Sequence, residues 1–212
     1  MKYRFWFVKK GVLRFISHLD VNRTMMRALR YAEVPMVYSQ GFNPRPLLTF
    51  ALPLSLGIES ECESMDITTE NEINCEETVE KLNRFLPREL HMINSTPVVN
   101  DPKLIAEATY RISFTCPEAK PKFEQFWNAE TVTVTKKTKS GSKELDLKPL
   151  VKIGEISGDN GKCEFEAILP TGVTENVNPM LLTDAFREQC APEAEVRITR
   201  MEVRMKNGEK FV

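Results

Sequence analysis

No two cysteines stand close together in this sequence: Cys62, Cys75, Cys116, Cys163 and Cys190 are dispersed along its 212 residues. Zinc and iron–sulfur sites draw ligands from short CxxC-type spacings, so the chain itself is expected to hold no metal, cluster or other cofactor. An odd number of scattered cysteines fits reduced thiols used as small buried hydrophobes. Long apolar runs are missing too. The N-terminal Tyr3-Arg4-Phe5-Trp6-Phe7-Val8 is interrupted by Arg4 and too short for a signal segment, and no uninterrupted run of about 18 apolar residues follows. A cytoplasmic address with no membrane partner is expected. The glycines form neither GxGxxG nor a phosphate loop, which leaves nucleotide hydrolysis without support, and the acidic residues lack calcium-loop spacing. Histidine is scarce, with only His18 and His91.

Basic residues are absent from one stretch, and that absence is informative. Residues 51–80 hold no Lys or Arg but carry Glu59, Glu61, Glu63, Asp66, Glu70, Glu72, Glu76, Glu77 and Glu80. Residues 1–50 are the reverse, with Lys2, Arg4, Lys9, Lys10, Arg14, Arg23, Arg27, Arg30 and Arg45 against Asp20 and Glu33. Beneath a net charge of −1, the chain therefore has either a polyanion-binding face or two segments that neutralise each other on folding.

Apolar and charged fractions of 42% and 28% are those of an ordinary globular protein long enough for one large domain or two small ones. Period-two patterning over residues 2–8 predicts a strand, and Leu13-Arg14-Phe15 extends it or leads out of it. Ser17, three residues before Asp20, predicts a cap on a helix reaching Tyr31. Short strands at 37–39 and 62–68, a helix at 76–85 and a strand at 91–98 complete a βαββαβ order, with Gly41 to Pro46 as a structured loop. After a break at Asn100-Asp101-Pro102-Lys103 the order repeats. Strands are predicted at 110–115, 131–137, 145–156, 163–169 and 194–205, with helices at 119–127 and 179–189. The predicted fold class is α+β, two tandem ferredoxin-like lobes with antiparallel sheets spanning 1–102 and 103–212, with an extra hairpin in the second.

The richest constellation is Arg14-Phe15-Ile16-Ser17-His18-Leu19-Asp20, the helix bearing Arg23, Arg27 and Arg30, and the loop Gln40-Gly41-Phe42-Asn43-Pro44-Arg45-Pro46. Steps of four and three residues put the helical arginines on one face. Guanidinium forks match phosphate oxygens, and neighbouring aromatics or Asn can stack on or hydrogen-bond unpaired bases. The competing structural reading is a solvated helix face paired with the acidic segment. Ser17 and Asp20 read as a cap and a dipole-favoured first-turn acid rather than parts of a triad. His18 is the candidate catalytic residue, as a general acid or base or a phosphate donor; His91 reads as structural. Lys136, Lys137, Lys139, Lys143 and Lys148 group around a polar tip at 139–143, read as a solubilising hairpin.

The motifs Phe15-Ile16-Ser17-His18-Leu19-Asp20, Tyr38 to Pro46, Phe50-Ala51-Leu52-Pro53-Leu54-Ser55-Leu56-Gly57-Ile58 and Lys143-Glu144-Leu145-Asp146-Leu147-Lys148-Pro149-Leu150 resemble the uncharacterised radical SAM-linked (radical SAM-associated) protein family, across nearly the whole chain. Members occur as separate proteins or as the C-terminal part of radical SAM proteins, and some resemble parts of ribonuclease-type chains. Where that family often has His after Asn-Pro, this chain has Arg45. The resemblance implies a radical SAM enzyme as partner, which would hold the cluster and S-adenosylmethionine itself. Three functions are carried forward. The first is a non-catalytic accessory or substrate-presenting protein that binds RNA, tRNA or rRNA, through Arg14, His18, Arg23, Arg27, Arg30, Gln40, Phe42, Asn43 and Arg45. The second is a metal-independent ribonuclease or RNA-modifying enzyme using His18. The third is a protein-interaction module without nucleic acid. The first predicts that His18, Gln40, Asn43 and Arg45 line one partly exposed pocket beside Arg23 and Arg27.

Overall fold

A computed structural model describes residues 1–138, 141–172 and 175–212. Lys139 and Ser140 of the expected basic tip lie outside the described residues. The chain is mixed α+β, with four α-helices among the described residues and antiparallel strand pairing. It divides into two compact units, residues 1–102 with Val212, and residues 103–211.

The first unit runs β1 (Lys2–Lys9), α1 (His18–Tyr31), β2 (Leu48–Phe50), β3 (Glu59–Thr68), α2 (Cys75–Asn83) and β4 (Met92–Pro97). Its sheet order is β4-β1-β3-β2. The alternation in β1 sends Tyr3, Phe5 and Phe7 into a core shared with Val21, Met25, Ala28 and Leu29 of α1, Met65 and Ile67 of β3 and Leu82 of α2. Residues 4 and 6 take the opposite face, and Arg4 there is 0% exposed.

A fully buried guanidinium is stable only if its donors find acceptors. Arg4 stands directly opposite Asp66 in the β1–β3 register. It donates twice to that carboxylate, at 2.6 Å from Nε and 2.9 Å from Nη2. Nη2 also donates to the Asn100 carbonyl at 2.7 Å, and Nη1 to the Val212 carbonyl at 3.1 Å. One side chain thus ties together two strands and the segments closing the unit.

The second unit runs β5 (Ile105–Thr115), α3 (Ala119–Trp127), β6 (Thr133–Thr138), β7 (Gly141–Asp146), β8 (Lys152–Ile153), β9 (Ser157–Gly158), β10 (Lys162–Pro170), α4 (Pro179–Cys190) and β11 (Glu195–Met205). Its sheet order is β11-β5-β10-β8, with β9 also on β10, while β6 and β7 pair as a hairpin. The core is aromatic, with Phe123 stacked on Phe165 at 4.3 Å and Phe114 against Phe186 at 4.4 Å between centroids. Burial pushes the Cys163 thiol up to about 12, and all five cysteines are free. A thiol so hard to ionise is inert packing.

Helix starts follow the sequence: Ser17, Asn74 and Asn178 each accept a first-turn backbone N–H, and Pro179 occupies the first turn of α4. Leu13 to Phe15 lead out of β1 in a 3₁₀ turn over residues 11–15, because Gly11 adopts φ +58 and breaks the strand. Three expected strands shift. The one at 145–156 is interrupted, with β7 ending at Asp146 and β8 covering Lys152–Ile153. Strand β5 begins at Ile105 rather than 110, since Met205 and Arg204 of β11 pair with Ile105 and Glu107. Residues 36 and 38 make only isolated bridges, to Thr69 and Pro46.

Removing one partner of the buried pair strands the other charge, so Asp66→Ala is expected to lower unfolding stability by about 3 kcal/mol. Urea unfolding reads this as a lower midpoint with an unchanged slope; a shift within error of wild type would show that Arg4 is not held by Asp66.

Candidate functional site

The charge asymmetry of the sequence resolves into two parts on folding. The bases on and just after β1 meet the acids of β3: Arg4 with Asp66 at 2.6 Å, Lys10 with Glu61 at 2.8 Å and Arg14 with Glu59 at 3.0 Å. The arginines of α1 do not. Arg23 makes a loose i,i+3 contact with Asp20 at 3.4 Å, both groups being more than half exposed, which contributes little. Arg27 and Arg30 are exposed and have no ion pair among the described residues, and Arg45 is in the same state. Neutralisation therefore accounts for the strands and leaves the helix stripe over.

The stripe is set by helical geometry. At about 100° per residue, Arg23, Arg27 and Arg30 fall within about 60° of one another, with rises of about 6 Å and 10.5 Å from the first to the other two. Val21, Met25, Ala28 and Leu29 occupy the buried side. Ser17 accepts the Asp20 N–H at 3.1 Å and its hydroxyl donates to Asp20 Oδ2 at 2.6 Å. That hydroxyl, ahead of Arg23, holds the Asp20 carboxyl below its ordinary range.

His18 lies elsewhere on the helix, about 140° from Arg23 and about 180° from Arg27. Its exposed ring meets Phe50 edge-on with centroids 4.7 Å apart, and Phe50 in turn meets Phe7 at 6.1 Å. Phe50 is the last residue of β2, so His18 touches the strand into which the Gly41–Pro46 loop runs. Arg45 precedes Phe50 by five residues, a backbone reach of at most about 18 Å. Arg14 is already committed: its guanidinium bonds Glu59 and lies 4.7 Å from the Phe15 ring centre.

The loop itself is the end of a stemmed hairpin. Leu47 N–H donates to Val37 O at 2.9 Å, Ser39 N–H to Arg45 O at 2.8 Å, and Arg45 N–H to Ser39 Oγ at 3.0 Å. Gln40, Gly41, Phe42, Asn43, Pro44 and Arg45 are all exposed. His91, at the foot of β4, has its Nδ1 2.7 Å from the Arg88 carbonyl, a structural contact. Of the second basic group, Lys136 donates to the Asn176 carbonyl, and Lys148 donates to the Trp127 carbonyl with its ammonium 4.6 Å from that ring's centre. Among the described residues no three His, Cys, Asp or Glu side chains gather as metal ligands, and no helix is long and apolar enough to cross a membrane.

Two features escaped sequence reasoning. Val12, Phe15, Leu19 and Leu56 are 55–74% exposed; the 3₁₀ turn, which buries nothing, presents the first two, and Gly57 N–H bonding Arg14 O at 2.8 Å brings Leu56 alongside. Their short run has no period to betray its orientation. The second is a trough of about 460 Å³ on the second unit's sheet, lined by Lys152, Glu166, Glu202 and Arg204 among others. Its carboxylates pair with bases, Glu166 with Arg111 and Glu202 with both Arg204 and Lys210.

Fold and site together describe an α+β protein with an exposed basic helix face and a stemmed polar loop in its first unit. The chain belongs to the family described as uncharacterized protein conserved in bacteria (DUF2344), whose model matches residues 2–179. No curated protein matches it.

Lys9 offers a pH test of this region. It is 2% exposed, and its ammonium donates to the carbonyls of Ile16 at 3.1 Å and Arg14 at 3.5 Å, closing the 3₁₀ turn. Burial lowers its pKa from 10.5 against the opposing pull of Glu63. The folded state therefore releases this proton at lower pH than the unfolded chain, and between the two values the unfolded chain binds more protons. Stability contributed at Lys9 rises with pH across that window. Wild type is expected to gain on Lys9→Met as pH climbs toward 10.5, measured by urea unfolding; a pH-independent gap would contradict it.

Proposed function

We propose that this protein is a non-catalytic accessory protein that binds RNA through the α1 stripe and the 40–45 loop, presenting it to a radical S-adenosylmethionine enzyme. One observation supports the RNA half: once β3 has neutralised the strand bases, Arg27, Arg30 and Arg45 remain exposed and without an ion pair among the described residues. Solvated arginines without an ion pair among the described residues, with Arg27 and Arg30 on one helix face, suit backbone phosphates. The partner rests on the sequence resemblance to the radical SAM-linked family, and tRNA or rRNA on the substrates such a partner would take. A cytoplasmic setting follows from the same reading.

We read each unit as a ferredoxin-like lobe, with strand orders β4-β1-β3-β2 and β11-β5-β10-β8 as the support. RNA binding by such lobes is analogy and adds no weight to the site. The enzymatic reading with His18 has less behind it. It needs Arg14, Arg27 or Arg45 to steady a charge that His18 would create; Arg14 is held by Glu59 and Arg27 sits on the far side of the helix from His18, which leaves Arg45 alone for that role. Docking without nucleic acid is favoured by the exposed Val12, Phe15, Leu19 and Leu56. Co-purification with a partner that survives nuclease, with no intrinsic RNA affinity, would support it.

Changing Arg23, Arg27 and Arg30 together to Glu is expected to weaken RNA binding and to flatten the log–log salt dependence by about two, for three lost phosphate contacts at about 0.7 each. An affinity indifferent both to salt and to the charge reversal would refute RNA binding at this face.

A further inference from the structure

Phe42 is the residue of the hairpin that folding does not explain. It is fully exposed, at 105% of its reference surface, and its ring meets no other ring or cation among the described residues. A phenyl ring left in water at a floppy tip would be unremarked, since scattered apolar residues are common on surfaces. This tip is built to hold it. The stem closes by the Ser39–Arg45 and Val37–Leu47 bonds, and Pro44 and Pro46 fix the backbone on its return side. Gly41, immediately before Phe42, has φ +125, a conformation closed to other residues, yet a Cβ there would meet nothing within 4 Å. Its glycine is thus required by the direction in which the chain must leave, and not by close packing.

Three polar side chains share the turn with Phe42. Among the described residues, Gln40 and Asn43 are exposed amides with no side-chain hydrogen bond, and the Arg45 guanidinium is unpaired although its backbone closes the stem. An aromatic face, two amides and one guanidinium within six residues are the groups that meet a base face, base edges and a phosphate.

We propose that the tip reads an unpaired nucleotide, with a base stacked on Phe42, Arg45 on an adjoining phosphate, and Gln40 and Asn43 toward the base edge. The substrate class is therefore single-stranded RNA, or the unpaired loop of a folded one, rather than duplex. Base faces in a duplex are covered by their neighbours and offer the ring nothing to stack on. This assignment rests on the RNA-binding reading above and adds to it the strandedness of the ligand.

The test uses the full chain and two probes: a short fluorescein-labelled RNA of mixed, non-self-complementary sequence, and the same strand annealed to its complement. Fluorescence anisotropy is expected to show the single strand bound about ten-fold more tightly, and Phe42→Ala to remove about that factor from single-strand binding only. Phe42→Trp should restore it, with quenching of the added indole emission on RNA addition. Because residue 42 touches no core side chain, the variants fold as wild type, checked by thermal unfolding. Equal affinity for strand and duplex, or unaltered binding by Phe42→Ala, would overturn the assignment while a loss on reversing the helical arginines left RNA binding itself intact. Binding of neither probe would remove both.

Discussion

The first unit hangs on a guanidinium with no water around it. Arg4 needs acceptors for its N–H groups, and takes them from Asp66, Asn100 and Val212. That requirement pins the register of β1 against β3, and the register decides which face of β1 is aromatic and toward the helices. The consequence reaches the candidate site. Two residues along from Asp66, Thr68 accepts from Val37 N–H at 2.9 Å and donates to Leu47 O at 3.1 Å, so both legs of the hairpin stem are anchored on the strand Arg4 fixes. Thr49 of β2 pairs directly with Asp66. A slipped β1–β3 register would move the stem, the loop and Phe50 together.

Charge is partitioned by the same architecture. Acids at alternate positions of β3 lie across from the bases in and beyond β1, so strand geometry brings Lys10 to Glu61 and Arg14 to Glu59. A helix turns its residues around an axis, and the face of α1 that packs on the sheet is apolar. Its arginines therefore point away from the β3 acids, and among the described residues only Arg23 has an acidic contact, the loose one with Asp20. Net charge near zero conceals this: Arg4, Lys10 and Arg14 pair with acids of β3, while Arg23, Arg27, Arg30 and Arg45 stay exposed.

What could be read from the sequence was what local chemistry decides. The Ser17 cap, the aromatic alternation of β1 and the bounds of α3 follow from side-chain type and period. The shared face of the α1 arginines needs only their spacing. What escaped depends on other strands. The start of β5 at Ile105 is set by β11, because Ala106 and Ala108 carry little strand preference of their own. The contact of His18 with Phe50 joins residues 32 positions apart, with no pattern to announce it. Arg14 looked as available as Arg27; only the fold shows that Glu59 holds one, while the other has no ion pair among the described residues.

Ultraviolet crosslinking of the protein to RNA, followed by mapping of the adducted peptides, asks where contact occurs without assuming any residue's role. A first-unit surface built from α1 and the hairpin predicts adducts on the peptides holding residues 18–31 and 38–47. Adducts confined to the second unit, or to the β6–β7 hairpin and its lysines, would contradict it.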